Sequence, residues 1–129
     1  MKITQHREDG INLIRRYGAD FVAIGDREIR ESCIVAANSL TPWAPRFVEE
    51  LDAGHFAPLF ALEPEVVVLA TGARQSFPRA ALRAEFATRK IGLEVMEIGA
   101  ACRTYNVLVG ELRKVVAAIL LPGPSKGPE

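Results

Sequence analysis

The sequence contains few of the residues on which metal sites, disulfide frameworks and thiol or imidazole catalysis depend. It has only two cysteines, Cys33 and Cys102, and two histidines, His6 and His55. The cysteines are far apart and form no CxxC motif, so we predict reduced thiols and no disulfide framework. Zinc and iron sites need clustered ligands, which this spacing does not supply. We therefore expect neither a metal nor another cofactor.

The chain also lacks an excess of charge of either sign and a long apolar run. Sixteen basic and sixteen acidic residues cancel, which leaves no positive field to hold a nucleic acid backbone. No apolar run approaches the roughly 18 residues that a transmembrane helix requires. The first ten residues, MKITQHREDG, lack the apolar core of a secretory signal. We expect a soluble protein of a prokaryotic cytoplasm, with no nucleic acid partner and no transmembrane segment.

Apolar residues make up 49 % of the 129 positions, which is enough for one hydrophobic core. We predict a single α/β domain over residues 1–121. Residues 122–129 are predicted to be a disordered tail, because GPSKGPE has too little apolar material to offset the entropy of ordering.

Short apolar runs broken by Gly and Asp fill the amino-terminal third of the chain. The runs INLIRRYG, ADFVAIGD and REIRESCIVAAN are rich in residues that favour a pleated surface. They predict three antiparallel strands. Four prolines after Thr41 exclude a long helix from residues 39–64 and favour short helical turns in a covering loop. Trp43 is expected to fill the space under that loop as a large apolar plug.

A parallel βαβ unit is predicted over residues 66–96. The unbroken apolar run EVVVLAT at 65–71 is typical of a strand that is buried on both faces. A helix should follow, with Pro78 in its first turn and Gly92 closing its carboxyl end. Residues 93–96 then form the second strand, and the crossover should be right-handed.

The segment from Met96 to Leu121 is predicted to be a helix followed by a last strand over residues 115–121. One line along the helix is apolar and should face the core. Its members are Ala101, Tyr105, Leu108, Leu112 and Val115.

Two poor helix formers, Asn106 and Gly110, lie on the far side of this helix. Their spacing of four residues makes a small polar face beside Arg103 and Arg113. We predict that Asn106, Gly110 and Arg113 mark a packing or partner surface.

The carboxyl ends of the two parallel strands should place residues 71–73 beside residues 97–99. Ligands in open α/β sheets bind at such a rim, where helix amino termini offer unpaired N–H groups. The candidate ligand-binding residues at this rim are Thr71, Gly72, Arg74, Glu97, Gly99 and Arg103. A second interpretation gives Thr71 and Gly72 a turn and gives Glu97 the role of balancing the helix dipole.

No residue is assigned a catalytic role. Cys102 lies next to Arg103 at a predicted helix start, where a thiol pKa can be depressed. A nucleophile also needs a base, and nothing in the sequence brings His6 or His55 near Cys102. An enzyme is therefore the less favoured interpretation.

Several blocks carry a resemblance to a known family. They are Thr41-Pro42-Trp43, LATG at 69–72, LEVM at 93–96 and GAACRTYNVLVGELRKVVAAIL at 99–120. With the spacing between them, they resemble the small single-domain family that contains the mitochondrial NADH dehydrogenase (complex I) assembly factor 3. The similarity extends over almost the whole chain apart from the tail. The chain departs from the family pattern at Ala70, usually Gly, at Ile98, usually Thr, and at Leu112, usually a small residue.

This resemblance implies a three-layer α/β fold with a central mixed sheet and a β-rich amino-terminal part. It also implies a non-enzymatic interaction or assembly module whose partners are proteins, such as respiratory-complex subunits or assembly proteins. The alternative is a small-molecule or anion-binding protein, or an enzyme, that uses the rim at Thr71, Gly72 and residues 97–103. A contiguous exposed apolar patch would favour the first hypothesis, and a concave site lined by polar groups the second. The oligomeric state is not indicated.

Overall fold

A mixed five-stranded sheet is the centre of the fold in the computed structural model, which describes residues 10–123. Along the chain the elements are β1 (Ile14–Gly18), β2 (Phe21–Ile24), β3 (Arg27–Ile29), β4 (Glu31–Ala36), β5 (Ser39–Pro42), the one-turn helix α1 (Ala57–Phe60), β6 (Val66–Ala70), α2 (Ala80–Thr88), β7 (Gly92–Met96), α3 (Ile98–Gly110) and β8 (Val115–Pro122). Two 3₁₀ turns, Val48–Glu50 and Ala53–Phe56, precede α1.

The central sheet has the strand order β5-β4-β8-β6-β7, and β1, β2 and β3 form a separate antiparallel sheet. β6 is parallel to both of its neighbours, whereas β8 is antiparallel to β4. The predicted parallel βαβ unit and the predicted α/β fold with a mixed sheet are confirmed. Most of the predicted tail lies outside the described residues. Pro122, which we assigned to that tail, instead ends β8 opposite Glu31.

Both faces of the central sheet are covered, because alternate residues of its strands enter two separate hydrophobic clusters. On β6, Val66, Val68 and Ala70 pack with α3 and with the small sheet. The intervening Val67 and Leu69 pack with α2 and the 3₁₀ turns. Full burial of β6 therefore follows from its position between two layers, as the unbroken apolar run predicted.

The prediction of three strands in the amino-terminal third was wrong in number. The run REIRESCIVAAN divides at Arg30 into β3 and β4, which belong to different sheets. β4 is buried over four consecutive residues because it crosses the centre of the fold, whereas β3 lies at an edge. The change of sheet occurs at one charged residue, and no turn-forming Gly or Pro marks it.

The loop predicted over residues 39–64 begins with a strand. Residues 39–42 form β5, which tolerates Pro42 because it is an edge strand of the central sheet. The short helical turns that follow are confirmed. Trp43 is buried, with 7 % of its surface exposed, and its indole N–H donates to the His55 carbonyl oxygen over 2.9 Å.

Both predicted ends of α2 were misplaced. Pro78 precedes the residue that caps the helix and is not in the first turn, because α2 begins only at Ala80. At the other end, Gly92 is already the first residue of β7. The left-handed residue that leads the chain out of the helix is Lys90, with φ +59°.

The predicted core stripe of α3 was wrong at Leu112. Tyr105 is fully buried and Leu108 packs partly against the core, but Leu112 is 86 % exposed. The helix ends at Gly110, and Leu112 turns the chain with φ +64°. Its N–H donates to the Val109 carbonyl and the Arg113 N–H to the Leu108 carbonyl, which is the Schellman pattern that usually has glycine in this position.

Helix α3 holds the small sheet through Asn106. The Asn106 side-chain oxygen accepts from the Ile14 N–H, and its amide nitrogen donates to the Ile14 carbonyl oxygen, each over 2.9 Å. One turn earlier on the same helix, Arg103 donates to the Tyr17 hydroxyl over 2.7 Å. The Tyr105 hydroxyl donates to the Asn12 carbonyl over 2.8 Å. A poor helix former is therefore kept in α3 because it pairs with the backbone of β1.

We predict that Asn106→Ala destabilises the fold by about 1–3 kcal/mol, because it leaves the half-buried N–H and C=O groups of Ile14 without partners. Chemical denaturation followed by far-ultraviolet circular dichroism measures the change. Val107→Ala, at the next position but 58 % exposed, is the matched control and should change stability far less. Equal losses in the two variants would contradict this role for Asn106.

Candidate functional site

The structure brings together the two segments that the sequence places at the carboxyl-end rim. The Thr71 N–H donates to the Met96 carbonyl over 2.9 Å, and the Ile98 N–H donates to the Gly72 carbonyl over 2.7 Å. The pairing of β6 with β7 thus continues past the strands to the start of α3. The predicted proximity of these two segments is correct.

The Thr71 hydroxyl is used inside its own loop. It donates to the Arg74 carbonyl oxygen over 2.7 Å and accepts a hydrogen bond from the Ser76 N–H over 3.1 Å. Gly72 adopts φ +91°, a conformation that side chains disfavour. These contacts agree with the turn interpretation of Thr71 and Gly72.

Glu97 caps the amino terminus of α3. Its carboxylate accepts from the Gly99 N–H over 2.7 Å and from the Ala100 N–H over 2.8 Å. These two backbone hydrogen bonds, together with the nearby Arg103 guanidinium, hold the pKa of Glu97 below its usual value. The carboxylate therefore occupies the N–H groups that a bound anion would use at this helix terminus.

The six predicted ligand-binding residues face two different directions. Thr71, Gly72 and Arg74 line a groove of about 360 Å³, together with Arg46 and Phe47 from the loop before the first 3₁₀ turn. Glu97, Gly99 and Arg103 are not among the residues that line this groove. Gly99 and Arg103 lie instead against Tyr17 of β1: Tyr17 is 3.2 Å from the position that a Gly99 Cβ would take, and its hydroxyl accepts from Arg103.

The contributions of Arg46, Phe47 and Tyr17 to this rim were not predicted from the sequence. Arg46 and Phe47 belong to a Pro-rich segment that carried only a general loop prediction. Tyr17 comes from the other sheet, so no spacing within the chain could place it beside α3.

Neither thiol is placed for nucleophilic chemistry. Cys33 and Cys102 are both buried. Burial raises the pKa of each to about 12. A thiol with such a pKa is almost entirely protonated near neutral pH and is a poor nucleophile.

A second, apolar groove lies at the opposite end of the central sheet. Its volume is about 420 Å³, and its walls come from the β4–β5 turn, the loop before β6, and the connection between α3 and β8. Leu62, Pro64 and Val109 contribute apolar surface, and the exposed Leu112 lies at the lip. This end holds no predicted ligand-binding residue.

Leu112 differs from the residues in equivalent connections. Before each of the three parallel strands the chain turns through one left-handed residue that is not glycine: Glu63 before β6, Lys90 before β7 and Leu112 before β8. Two of these are charged, as expected for exposed turns. The third is a large apolar side chain at the mouth of an apolar groove.

The structure separates the three residues that we predicted to mark one surface. Asn106 bonds to Ile14 inside the fold. Gly110 is exposed, and an added Cβ would meet nothing within 4 Å. Arg113 lines the apolar groove and donates to the Glu65 carboxylate over 2.7 Å.

Two further observations concern residues 10–123 only. No three or more His, Cys, Asp or Glu side chains in this range gather as metal ligands would. No helix formed by these residues has the length and apolar character that crossing a membrane requires.

Comparison with known proteins decides the family. The model of the family described as protein of unknown function (DUF498/DUF598) matches residues 14–120. The chain belongs to this family. The resemblance to complex I assembly factor 3 is also confirmed: the Danio rerio protein named NADH dehydrogenase (ubiquinone) 1 alpha subcomplex assembly factor 3 is 28 % identical over 127 residues. That alignment covers 97 % of this chain and 72 % of the relative.

Other relatives of this family member have bacterial sources. A Xanthomonas campestris protein solved by NMR is similar to the whole chain, with a TM-score of 0.86 and 32 % identity, over 98 % of that protein. A Francisella tularensis protein named 13 kDa major membrane protein is 29 % identical over 73 residues, which is 57 % of this chain and 59 % of that protein. That name does not support the cytoplasmic location that we expected for this chain.

We predict that Glu97→Gln removes a pH-dependent part of the stability. Because the folded pKa of Glu97 is lowered, its charge stabilises the fold fully above the unfolded value of about 4.3. That stabilisation is lost as the pH falls through the folded pKa. The difference in stability between parent and variant should thus be largest near neutral pH and vanish in acid. Denaturation curves at several pH values measure it, with the exposed Glu94→Gln on β7 as control. A pH-independent difference would contradict the capping role.

We also predict that Cys33 and Cys102 resist alkylation in the folded protein, because both thiols are buried and protonated. Mass spectrometry after exposure to iodoacetamide near neutral pH should show almost no adduct. Full labelling in denaturant is the control. Rapid labelling of Cys102 without unfolding would show that a reactive thiol is accessible.

Proposed function

We propose that this protein is a non-enzymatic interaction module that helps to assemble a respiratory complex or a similar membrane-associated machine, and that it acts from the cytoplasm. The observation that carries the proposal is the apolar groove with Leu112 at its lip. An exposed apolar side chain beside an apolar groove is typical of protein contact surfaces. The proposed occupant is an apolar segment of a partner protein.

The names of the relatives are the reason for proposing a role in assembly. The proteins of Danio rerio and Homo sapiens that this chain resembles both carry the name of an assembly factor. The alignment with the first covers 97 % of this chain, so it includes both ends of the central sheet. The chain spans 61 % of the human relative, and the role of that longer protein is extended here only as a proposal.

Side chains that could act as nucleophiles or bases are buried or hydrogen-bonded within the protein, which supports a role without catalysis. The thiols are buried, and the Thr71 hydroxyl is bonded within its loop. The His55 imidazole accepts from the Asp52 N–H over 3.1 Å and so belongs to a capping box. Each of these groups already has a structural partner or is shielded from solvent.

The alternative of a ligand site at the carboxyl-end rim is less well supported. Its hydroxyl and its carboxylate, on Thr71 and Glu97, both bond to the protein's own backbone. A ligand there would have to break these bonds before forming its own.

The first experiment removes the gene from the source organism and measures the assembled respiratory complex in native gels of solubilised membranes. We expect less full-size complex and an accumulation of partly assembled species. An unchanged level of assembled complex would contradict the assembly role.

The second experiment tests the groove by expressing the Leu112→Gly variant in the organism from which the gene has been removed. Glycine adopts positive φ freely, so this variant should be as stable as the parent or more stable, by up to about 1 kcal/mol. It should nevertheless restore assembly poorly because the apolar lip is lost. Val107→Ala, which trims an exposed apolar side chain that does not line the groove, should restore it fully. If Leu112→Gly restored the assembled complex to the parent level, Leu112 would be excluded from the contact with the partner protein.

A further inference from the structure

A β-bulge in the small sheet redirects one arginine. β1 pairs with β2 so that Ile14 lies opposite Ile24 and Arg16 lies opposite Ala23, which leaves Arg15 as an extra residue without a partner. Bulges of this kind re-aim a side chain and are frequent beside functional sites. The bulge begins at Ile14, whose N–H and C=O are both held by Asn106. Helix α3 therefore holds the backbone at the residue that precedes Arg15.

A second arginine lies on the other side of the same β2 residue. Ile24 pairs with Ile14 on β1 and with Arg27 on β3. Neighbouring strands are about 4.8 Å apart, so the backbones of β1 and β3 are separated by roughly 10 Å across β2. Arg15 and Arg27 both line a single pocket of about 380 Å³. The side chains of Arg15, on β1, and Arg27, on β3, thus border the same pocket from the two sides of β2.

The other polar residues of this pocket come from two segments, and apolar residues complete its wall. Asn38 and Ser39 come from the turn between β4 and β5. Asn12, which also lines the pocket, donates from its side-chain amide to the carbonyl oxygens of Ala36 and Ser39, over 2.9 and 3.0 Å. The pocket therefore lies in the seam where the small sheet meets the central sheet.

Within residues 10–123, no carboxylate balances the positive charge in this pocket. No carboxylate is among the described residues that line the pocket, and Asp26, in the turn before Arg27, forms no ion pair with Arg27. Over residues 10–123 neither Arg15 nor Arg27 takes part in an ion pair. Five other arginines in that range do, namely Arg30, Arg46, Arg89, Arg103 and Arg113. An anion that entered the pocket would meet two guanidinium groups that pair with no carboxylate of the described part of the chain.

We propose that the pocket between Arg15 and Arg27 binds a phosphate group. The planar guanidinium fork matches the oxygens of a phosphate in a bidentate geometry, and the Asn38 amide and Ser39 hydroxyl add neutral donors. The volume of about 380 Å³ lies in the range of roughly 300–1,000 Å³ that is usual for small-molecule sites. It exceeds what an inorganic ion fills, which favours a small phosphate ester over free phosphate. This site adjoins the apolar groove, with which it shares Ile11, Asn38 and Ser39, and it shares no lining residue with the groove at the carboxyl-end rim.

The test is a titration of the purified full chain with two probes, inorganic phosphate and glycerol phosphate. Ionic strength is held constant with sodium chloride, and binding is followed by calorimetry and by the backbone amide signals of Gly25 and Ser39. We expect saturable binding, tighter for the ester. Arg15→Gln and Arg27→Gln should each weaken it about tenfold or more, as expected for loss of a charged hydrogen bond. Equal affinity for the two probes would support a site for the phosphate group alone.

Arg16→Gln is the matched control, because Arg16 is the next residue on β1 and its guanidinium lies over the Phe21 ring. It should bind like the parent, within about twofold, since rim charges away from a site contribute little. Circular dichroism verifies that each variant is folded, and Arg15→Lys and Arg27→Lys retain the charge without the fork. Absence of saturation at tens of millimolar probe would overturn the proposal. So would an equal loss in Arg16→Gln, because binding would then reflect diffuse surface charge.

Discussion

The pair of hydrogen bonds between Asn106 and Ile14 is the constraint on which the arrangement of the two sheets depends. Among the described strands, no pairing joins the small sheet to the central one, so polar contacts and packing, including those with α3, must hold the small sheet in place. Asn106 satisfies both backbone groups of Ile14, at the residue where the β1 ladder shifts register. The same interaction therefore attaches the sheet and fixes the bulge that directs Arg15.

The two ends of the parallel strands have acquired different properties. At the carboxyl ends, the side chains of Glu97 and Thr71 accept hydrogen bonds from neighbouring backbone N–H groups, which a ligand would have to break. At the amino ends, left-handed residues turn the chain into each strand, and one of them is the exposed Leu112. Topology alone favours ligand binding at the carboxyl ends. In this protein Leu112, the most exposed large apolar side chain among residues 10–123, lies at the other end, which is why we assign the proposed interaction role there.

The sequence was sufficient for features that depend on local periodicity. The unbroken run at 65–71 predicted β6, and the shared rim of residues 71–73 and 97–99 followed from parallel pairing. It was insufficient where tertiary contacts decide. Nothing local distinguishes Leu112, which continues the spacing of a core residue, from an exposed residue beyond the helix end. Likewise Asn106 resembled a surface residue because its partner, Ile14, is 92 positions away in the chain. The strand boundary at Arg30 was invisible because it separates two sheets without a turn residue.

Native-state amide hydrogen exchange in the parent and in Asn106→Ala tests most directly whether α3 holds the small sheet through this side chain. It reports opening of each element separately. We expect Asn106→Ala to speed exchange of the amides of β1 and β2, Ile14 foremost, by about five- to a hundredfold, while β6 and β8 accelerate by no more than the loss of global stability allows. Unchanged exchange in β1 and β2 would contradict the account.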